Sequence, residues 1–410
     1  MAMQVKNEGI ATMIEWLASY GRTKADGVTR LLYSPPWIEA QHALKNKMEN
    51  IGLYAYYDCV GNLFGRLQGT DPTSKTILTG SHVDTVIEGG KYDGAYGILA
   101  SLLAVERLAK VYGAPKKTIE VVSFCEEEGS RFPITFWGSR NINNIYSLQD
   151  VRHLTDIDGV PFLQAMADAG FDYHNYRTPA RTDIENFIEL HIEQGCILEK
   201  SKNTIGIVSH IVGQRRFNIT LIGESNHAGT TPMQYRNDSI ALASDFIHFT
   251  TNFTGECDPN LVATFGKFIA KPNVPNVIAG EVELSLDIRH HNEAILDTFC
   301  DHIFSYLKDK AVHLDFKVSI SQWMDVKPIA MCPEINKYIE DITTSKKIPH
   351  QYLISGAGHD SQVFGSFFPT TLLFVPSVKG ISHSPKEYTS VEDLEKGIEV
   401  LTDLLYKLAY

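Results

Sequence analysis

Four short apolar runs of this 410-residue chain are each followed by residues that can bind a metal ion. The runs have the length and composition of buried strands, and they cover residues 77–80, 118–124, 187–191 and 371–376. An amphipathic helical pattern at 94–111 separates the first two runs. This alternation predicts an α/β sheet with helices on both faces. Ligands of such sheets bind beyond the carboxyl ends of the strands, so the residues that follow each run form the candidate site.

A change of pattern near Val212 and Gly213 predicts a second domain. From there the order is strand, helix, strand, strand, helix, strand, at 215–222, 238–251, 261–270, 281–289, 292–308 and 313–321. That order is the split β-α-β plan of a small ferredoxin-like domain. A chain of this length also favours two domains, because a single core seldom grows so large. We therefore predict a larger domain formed by 1–212 and 328–410, with a smaller domain at 213–327 inserted into it.

The polar residues that follow the four apolar runs are of the types that hold divalent metal ions. They are His82, Asp84, Asp93, Glu126, Glu127, Glu128, His191 and His383. Imidazole and carboxylate groups together suit zinc, manganese or cobalt. The number of groups suits two ions that share one carboxylate, an arrangement that activates water and polarises a carbonyl group. A spare glutamate beside a glutamate ligand would then transfer the proton.

Each of these residues also has an ordinary structural explanation when it is taken alone. A histidine at a strand end is more often a hydrogen-bonded structural residue, and Asp84 could cap a helix. The three consecutive glutamates could form a solvated turn. These explanations would have to hold independently at all four strand ends, so one metal site accounts for the set better.

The charge and composition argue against several other classes of protein. The formal net charge of −12 disfavours nucleic acid or an anionic membrane as the main partner, because both bind concentrated Lys and Arg. No apolar run is long enough to span a bilayer, and the first residues do not have the pattern of a signal peptide. The six cysteines are scattered without a CxxC pair, which fits reduced thiols. We expect a cytoplasmic enzyme that acts on a small molecule.

Seven motifs closely resemble the dinuclear-metal M20 peptidase family, in its hydantoinase/carbamoylase (amidohydrolase) branch. They are GSHVDTV at 80–86, DG at 93–94, EEEGSRF at 126–132, ELHIEQG at 189–195, GESNHAGTTP at 223–232, SGAGHD at 355–360 and GISH at 380–383. The similarity covers nearly the whole chain in the order of the family. It implies an α/β catalytic domain with an inserted ferredoxin-like domain that forms a homodimer.

The resemblance also implies two divalent metal ions, Zn²⁺ or Mn²⁺, in each subunit. Asp93 would bridge the two ions. His82 and His191 would complete one site. Glu128 and His383 would complete the other.

Catalytic roles follow from the same resemblance. Glu127 would be the general base, and Asp84 would orient His82. The assignment within the three glutamates is anchored on Gly129, which leaves Glu126 as the spare residue. His227 would contact the substrate and stabilise the oxyanion of the tetrahedral intermediate.

The inserted domain is expected to select the substrate. Asn276 and Arg289 match positions that bind the substrate carboxylate in this branch, and a planar guanidinium suits that group. Further substrate contacts are expected from Gln194, Arg216 and Gly358. Arg215 competes with Arg216 for its role, and the sequence leaves that choice open.

The resemblance implies metal-dependent hydrolysis of a ureido C–N bond in a small acid. The segments at 29–34, 136–139 and 212–216 favour allantoate, with ureidoglycine, ammonia and carbon dioxide as products, a reaction of purine breakdown. The alternatives are an N-carbamoyl-L-amino acid or N-carbamoyl-β-alanine. A peptidase is a weaker hypothesis because His191 stands where peptidases often have an acidic residue. A non-catalytic protein that binds a small acid would be marked by loss of a ligand or of the base, and all six residues are present.

Overall fold

The computed structural model describes residues 9–177 and 179–410. The chain forms two compact units, one comprising residues up to Ser209 together with Met331–Tyr410, and the other His210–Ala330. The second unit is therefore inserted in the chain sequence of the first. The sequence predicts the junctions at 212/213 and 327/328, and the two units divide at 209/210 and 330/331.

Helices and strands alternate along much of the chain. The helices are α1 Ile10–Ala18, α2 Pro35–Asn50, α3 Ala95–Tyr112, α4 Trp137–Ile142, α5 Leu148–Val151, α6 Phe162–Asp168, α7 Ile197–Ser201, α8 Ser239–Cys257, α9 Glu293–His313, α10 Pro333–Ser345, α11 Asp360–Phe364 and α12 Val391–Ala409. The strands are β1 Tyr54–Tyr57, β2 Leu63–Leu67, β3 Thr76–His82, β4 Ile119–Phe124, β5 Ile184–Ile192, β6 Ile205–Ile211, β7 Gly213–Ile222, β8 Val262–Lys271, β9 Glu281–His290, β10 Lys317–Val326, β11 Ile329–Ala330, β12 His350–Ser355 and β13 Thr370–Val375.

The main sheet has the strand order β1-β2-β4-β3-β5-β13-β6-β11, with β12 beside β6. The central strands are parallel: β3 forms parallel pairs with β4 and β5, and β13 forms a parallel pair with β5. Every residue of β3, β4 and β13 is buried. These strands have near-continuous apolar sequences because both of their faces are covered. The predicted mixed α/β fold is confirmed.

Two apolar cores cover the opposite faces of this sheet. Alternate residues of a strand point to opposite faces. In β4, Ile119 and Val121 belong to the larger core, to which α1, α2, α3 and α12 contribute. Val122 and Phe124 belong to a smaller core with Phe364 of α11. Helices therefore pack on both faces, and the strand ends at the sheet edge remain accessible to loops.

The smaller unit is an antiparallel sheet with two long helices. The strand order is β10-β7-β9-β8, and the chain order is β7, α8, β8, β9, α9, β10. Alternate residues of β9 are buried, and the apolar ones pack with residues of α8 and α9. The β-α-β-β-α-β plan predicted from the sequence is therefore present.

The predicted strand at 313–321 was wrong at its start. The helix α9 continues to His313, and β10 begins at Lys317. Ala311 is buried in the core of the smaller unit, which extends the packed face of the helix. Lys310 and His313 lie in its last turn, where cations interact favourably with the helix dipole.

Among the described residues, no helix has the length and apolar character that a membrane span requires.

Candidate active site

The four predicted strand ends meet at one edge of the sheet. β4, β3, β5 and β13 are neighbours and run parallel, so their carboxyl ends face the same way. His82 is the last residue of β3, and His191 lies one residue before the end of β5. The glutamates at 126–128 follow β4, and His383 lies in the loop after β13. The strand order therefore brings together the residues that the sequence singles out.

Asp93 lies beside two buried histidines. Its Oδ1 atom is 3.5 Å from His82 Nε2 and 3.1 Å from His191 Nε2. The Nδ1 atom of His82 is 3.0 Å from the carbonyl oxygen of Asp84, and that of His191 is 2.9 Å from the carbonyl oxygen of Ile192. A carbonyl oxygen only accepts, so each Nδ1 donates a proton and each Nε2 faces Asp93. This is the ring orientation of a histidine that binds a metal through Nε2.

The other carboxylate oxygen of Asp93 faces a second group. Asp93 Oδ2 is 3.2 Å from His383 Nε2, and the same nitrogen is 3.3 Å from Glu128 Oε1. The side chain of His383 is 48% exposed, whereas those of His82 and His191 are buried. The second group therefore borders solvent, and the first is enclosed by protein.

These donors fit two divalent ions that share Asp93. Within each group, the candidate ligand atoms lie within 4.8 Å of one another. Imidazole nitrogens with carboxylate oxygens are a donor set that zinc and manganese accept. Hydrogen bonds to Asp93 and Glu128 raise the pKa of His383 to about 11. A cation that binds there would displace a proton, so its affinity should increase with pH.

Asp84 holds the backbone of two neighbouring glutamates. Its Oδ1 accepts a hydrogen bond from the N–H of Glu127 and its Oδ2 from the N–H of Glu128, both at 3.0 Å. Asp84 Oδ1 is also 3.4 Å from Nδ1 of His82. One buried carboxylate therefore lies beside a candidate ligand on β3 and orients the segment that carries the candidate base.

The side chain of Glu127 is available for proton transfer. In the part of the chain that the structure describes, no group donates a hydrogen bond to its carboxylate. Burial raises the pKa of Glu127 well above its usual range, which suits a group that takes up a proton and returns it. Glu126 differs, because its carboxylate accepts the N–H of Gly129 and closes the turn.

Sequence reasoning missed two residues near Asp93 and gave Gln194 a different partner. Gln194 Nε2 donates to Asp93 Oδ2 at 2.8 Å, and Ser382 Oγ is 3.1 Å from the same oxygen. Glu387 accepts hydrogen bonds from the segment that carries Asp93 and from Ser382. The signal available in the sequence was the position of Glu387, four residues after His383 in a ligand-bearing loop.

Two residues of this site have a left-handed backbone without being glycine. They are Gln194, with φ of 57°, and His383, with φ of 53°. Such conformations cost energy for ordinary residues and cluster at functional sites, where surrounding contacts hold them. For Gln194 one such contact is the hydrogen bond from its N–H to Ser377 Oγ, at 3.0 Å.

The ring of Phe136 lies beside Gly358, and the backbone of Phe136 is hydrogen-bonded to Glu127. A Cβ atom at Gly358 would be 3.1 Å from Cζ of Phe136. The N–H of Phe136 donates to the carbonyl oxygen of Glu127 at 3.1 Å. The predicted substrate contact at Gly358 therefore belongs to the same compact unit as the candidate base.

His227 and Asn276 are neighbours in the smaller unit. The N–H of Ala228 donates to the carbonyl oxygen of Asn276 at 3.0 Å. His227 Nδ1 accepts hydrogen bonds from the N–H groups of Gly229 at 3.0 Å and Thr230 at 3.2 Å. A backbone N–H only donates, so Nδ1 holds the lone pair and Nε2 carries the proton. The exposed edge of this ring is therefore a hydrogen-bond donor.

Arg216 and Arg289 share one carboxylate, that of Asp287. Arg216 Nε donates to Asp287 at 2.7 Å, and Arg289 donates to it through Nε at 2.9 Å and a terminal nitrogen at 3.2 Å. Gln214 Nε2 adds a fourth hydrogen bond at 2.6 Å. The two guanidinium groups are therefore adjacent and oriented by the same acid.

Arg215 points to the other face of the smaller sheet. It is 8% exposed and donates to Asp297 of α9 at 2.6 Å and to Asp325 at 3.3 Å. Residues that are adjacent along a strand face opposite ways. Of the two arginines that the sequence leaves open, Arg216 is therefore the one beside Arg289.

The contacts of Asp84 predict the effect of replacing it. In Asp84→Asn, the amide group can accept one of the two backbone N–H groups but not both, so one buried donor loses its partner. We expect a stability loss of about 1–3 kcal/mol. Loss of the orienting carboxylate should also weaken metal binding about 10–100-fold. Thermal unfolding and calorimetric metal titration measure the two effects.

Asp58→Asn is the matched control for this experiment. Asp58 is a half-buried carboxylate whose Oδ1 accepts the N–H groups of Val60, Gly61 and Asn62 and whose Oδ2 accepts from Asn62 Nδ2, a bond that an asparagine cannot make; none of these partners is a candidate ligand. This variant should lose stability but keep its metal affinity. An equal loss of metal affinity in both variants would contradict the role assigned to Asp84.

Comparison with known proteins identifies the family of the chain. Residues 78–407 match the Peptidase family M20/M25/M40. The chain is 48% identical over 408 residues to the allantoate amidohydrolase of Bacillus subtilis (strain 168), covering 100% of this chain and 99% of that protein. It is 44% identical to the allantoate amidohydrolase of Escherichia coli (strain K12), with 98% of each chain covered.

A solved structure has the same fold over nearly the whole length. It is an amidase of the hydantoinase/carbamoylase family from Burkholderia multivorans, with a TM-score of 0.92 and 30% identity. The alignment covers 98% of this chain and 97% of that one. The resemblance stated from the motifs is confirmed, and the chain belongs to the Peptidase family M20/M25/M40.

Proposed function

We propose that this protein hydrolyses a ureido C–N bond of allantoate, giving ureidoglycine, ammonia and carbon dioxide. The observation that carries the proposal is the arrangement around Asp93. One of its carboxylate oxygens faces the two buried histidines, and the other faces His383, which lies beside Glu128. The carboxylate of Glu127 lies in the adjoining segment and is available to move a proton. The relatives that are 48% and 44% identical to the chain, over 98% or more of its length, are allantoate amidohydrolases, which supports this substrate.

The site is proposed to hold two divalent ions, Zn²⁺ or Mn²⁺. Asp93 would bridge them, with His82 and His191 on the enclosed ion. Glu128 and His383 would hold the ion that borders solvent. When bound, the ions would lower the pKa of a water and polarise the carbonyl group that the water attacks.

Glu127 is proposed to transfer the proton of the attacking water. Its carboxylate takes the proton as the water oxygen bonds to the ureido carbonyl carbon. It then gives that proton to the leaving nitrogen as the C–N bond breaks, which releases ammonia. The carbamic acid that remains loses carbon dioxide, and its nitrogen becomes the amine of ureidoglycine. Asp84 holds the Glu127 backbone in place during both transfers.

The smaller unit is proposed to bind the rest of the substrate. Arg289 and Asn276 would bind the carboxylate, with Arg216 beside Arg289. His227 would donate from Nε2 to the oxyanion of the tetrahedral intermediate, and its Nδ1 contacts favour that tautomer. Gln194 and Gly358 remain proposed substrate contacts in the larger unit.

The second candidate is hydrolysis of an N-carbamoyl amino acid. The paired arginines recognise a carboxylate, and the Asp93 site recognises a ureido carbonyl. An N-carbamoyl-L-amino acid or N-carbamoyl-β-alanine contains both groups. Only the remainder of the molecule distinguishes these acids from allantoate, so a direct assay must decide.

We further propose a homodimer that forms through the smaller unit. Strand β8 lies at the edge of its sheet and exposes Val262, Phe268 and Ile269 by 42–53%. Exposed apolar edge strands are sites of association between chains. Light scattering should give twice the mass of one chain, and Phe268→Lys should shift the protein towards monomer. A wild-type monomer at working concentrations would contradict this proposal.

A substrate panel tests the proposed function. Ammonia release should be measured from allantoate, N-carbamoyl-L-amino acids and N-carbamoyl-β-alanine, with chelated protein and after Mn²⁺ is restored. We expect allantoate to have the highest kcat/KM and chelation to abolish turnover. Preference for an N-carbamoyl acid would replace the first candidate with the second.

Glu127→Gln is the control variant for the same assay. The amide cannot take up the proton, so kcat should fall about 10²–10⁴-fold while the metal content stays unchanged. Turnover near that of the wild type, with metals bound, would show that another group is the base.

The two adjacent arginines provide a matched pair for the carboxylate-binding role. Arg216→Ala and Arg289→Ala should each raise KM about 10–100-fold, because a hydrogen bond to a charged group is worth about 1.5–3 kcal/mol. Arg215→Ala removes the same type of side chain from the opposite face. It should lower stability and leave KM unchanged. A larger rise of KM in Arg215→Ala than in Arg216→Ala would reverse the assignment.

A further inference from the structure

Glu387 joins the two loops that carry Asp93 and His383. Its Oε1 accepts hydrogen bonds from the N–H groups of Tyr92 at 2.9 Å and Asp93 at 3.1 Å. Its Oε2 accepts from Ser382 Oγ at 2.8 Å. Glu387 is 5% exposed, so these bonds are shielded from water. One carboxylate therefore fixes the backbone of the proposed bridging ligand and the residue before a proposed ligand.

The chain is shaped to admit this carboxylate. A Cβ atom at Gly90 would lie 1.9 Å from Glu387 Oε1 and 2.1 Å from its carboxyl carbon. No side chain fits at that position while Glu387 keeps its place. Gly90 thus allows the loop before Asp93 to approach the acid closely.

The Ser382 hydroxyl has two acceptors within reach but only one proton. Its Oγ is 2.8 Å from Glu387 Oε2 and 3.1 Å from Asp93 Oδ2. A hydroxyl donates one hydrogen bond. The shorter contact is to Glu387, a carboxylate that only accepts. Ser382 therefore donates to Glu387 and can accept a hydrogen bond from Gln194.

The side-chain amide of Gln194 can donate hydrogen bonds to both Asp93 and Ser382. Its Nε2 carries two protons, and it is 2.8 Å from Asp93 Oδ2 and 3.4 Å from Ser382 Oγ. One proton reaches Asp93, and the other points to the lone pair on Ser382. With its hydroxyl proton on Glu387, Ser382 donates no hydrogen bond to Asp93 Oδ2, which accepts from Gln194. The same oxygen is 3.2 Å from His383 Nε2, and these two atoms are proposed ligands of one ion.

We propose that Glu387 is a positioning residue that draws the Ser382 proton away from Asp93 and so keeps Asp93 Oδ2 able to bind a cation. The inference rests on the proposed ligand roles of Asp93 and His383. Glu387 acts through Ser382 and the Asp93 backbone, to which its carboxylate is hydrogen-bonded. Glu387 should therefore affect the affinity of the ion proposed at Asp93 Oδ2, Glu128 and His383.

Glu387→Gln tests this role with little change of shape. The amide oxygen keeps the N–H groups of Tyr92 and Asp93, which places the amide NH₂ against Ser382. Ser382 must then accept from the amide and donate its own proton to Asp93 Oδ2. A second hydrogen bond to a ligand oxygen reduces its capacity to bind metal. We expect one of the two metal-binding events to weaken about 10–100-fold.

Removal of the hydroxyl should reverse that loss. In the double variant with Ser382→Ala and Glu387→Gln, no hydroxyl proton can reach Asp93. Metal affinity should therefore return towards that of Ser382→Ala alone, which we expect to be near that of the wild type. A merely structural role for Glu387 predicts the opposite, because two lost contacts would weaken the site more than one.

The measurement is calorimetric titration of metal-stripped full-length protein with Mn²⁺ at mildly alkaline pH, with thermal unfolding recorded for each variant. Weakening in Glu387→Gln and recovery in the double variant support the proposal. Unchanged affinity in Glu387→Gln, or further loss in the double variant, would overturn it.

Asp93→Asn separates this inference from the proposed function. The variant should lose both binding events. If the wild type binds no Mn²⁺, or if Asp93→Asn keeps both events, the proposed metal site fails. If the wild type binds two ions and Glu387→Gln binds them equally well, the metal site stands and only the positioning role fails.

Discussion

The position of one carboxylate, that of Asp93, determines the rest of the candidate site. Its Oδ1 faces the enclosed histidines and its Oδ2 faces His383, so a small rotation would serve one group at the expense of the other. The structure holds this residue from several directions. Glu387 fixes its backbone N–H, Gln194 contacts its Oδ2, and α3 begins two residues later. The parallel strands supply the surrounding ligands at a common edge, and the loops adjust them around this acid.

The fold and the candidate ligands could be predicted because their signals are local. A strand that is covered on both faces has to be apolar along its length, and its boundary appears as a change to polar residues. β3, β4, β5 and β13 all have this boundary, and their parallel pairing places it at one edge. The fold of the smaller unit could be predicted equally well, because alternating burial in β9 leaves a period of two in its apolar residues.

The contacts that orient the ligands could not be predicted in the same way. Glu387 reaches Tyr92 and Asp93 across a long separation in the chain, through loops without periodic sequence. Gln194 and His383 adopt left-handed backbone conformations that the sequence does not announce, since neither is glycine. The choice between Arg215 and Arg216 needed the strand pairing, because an arginine on the core face of a sheet is unexpected. Asp297 explains that exception by pairing with Arg215 at the margin of the core.

The chemistry of the two units explains why the motifs for hydrolysis say little about the substrate. In the proposed reaction, the donors around Asp93 and the proposed base Glu127 would act on a water and on a carbonyl group that every ureido acid contains. Selection has to depend on groups that contact the remainder of the molecule. In the smaller unit, Arg216, Arg289 and Asp287 together carry one net positive charge, which complements a single carboxylate. If the arginine pair binds the substrate as proposed, Asp287 would do more than orient it, because it would also reduce the net charge of the pair to one that matches a monoanion. A dicarboxylate would bring more negative charge than this group balances, so the acid beside the arginines contributes to the choice of substrate as much as they do.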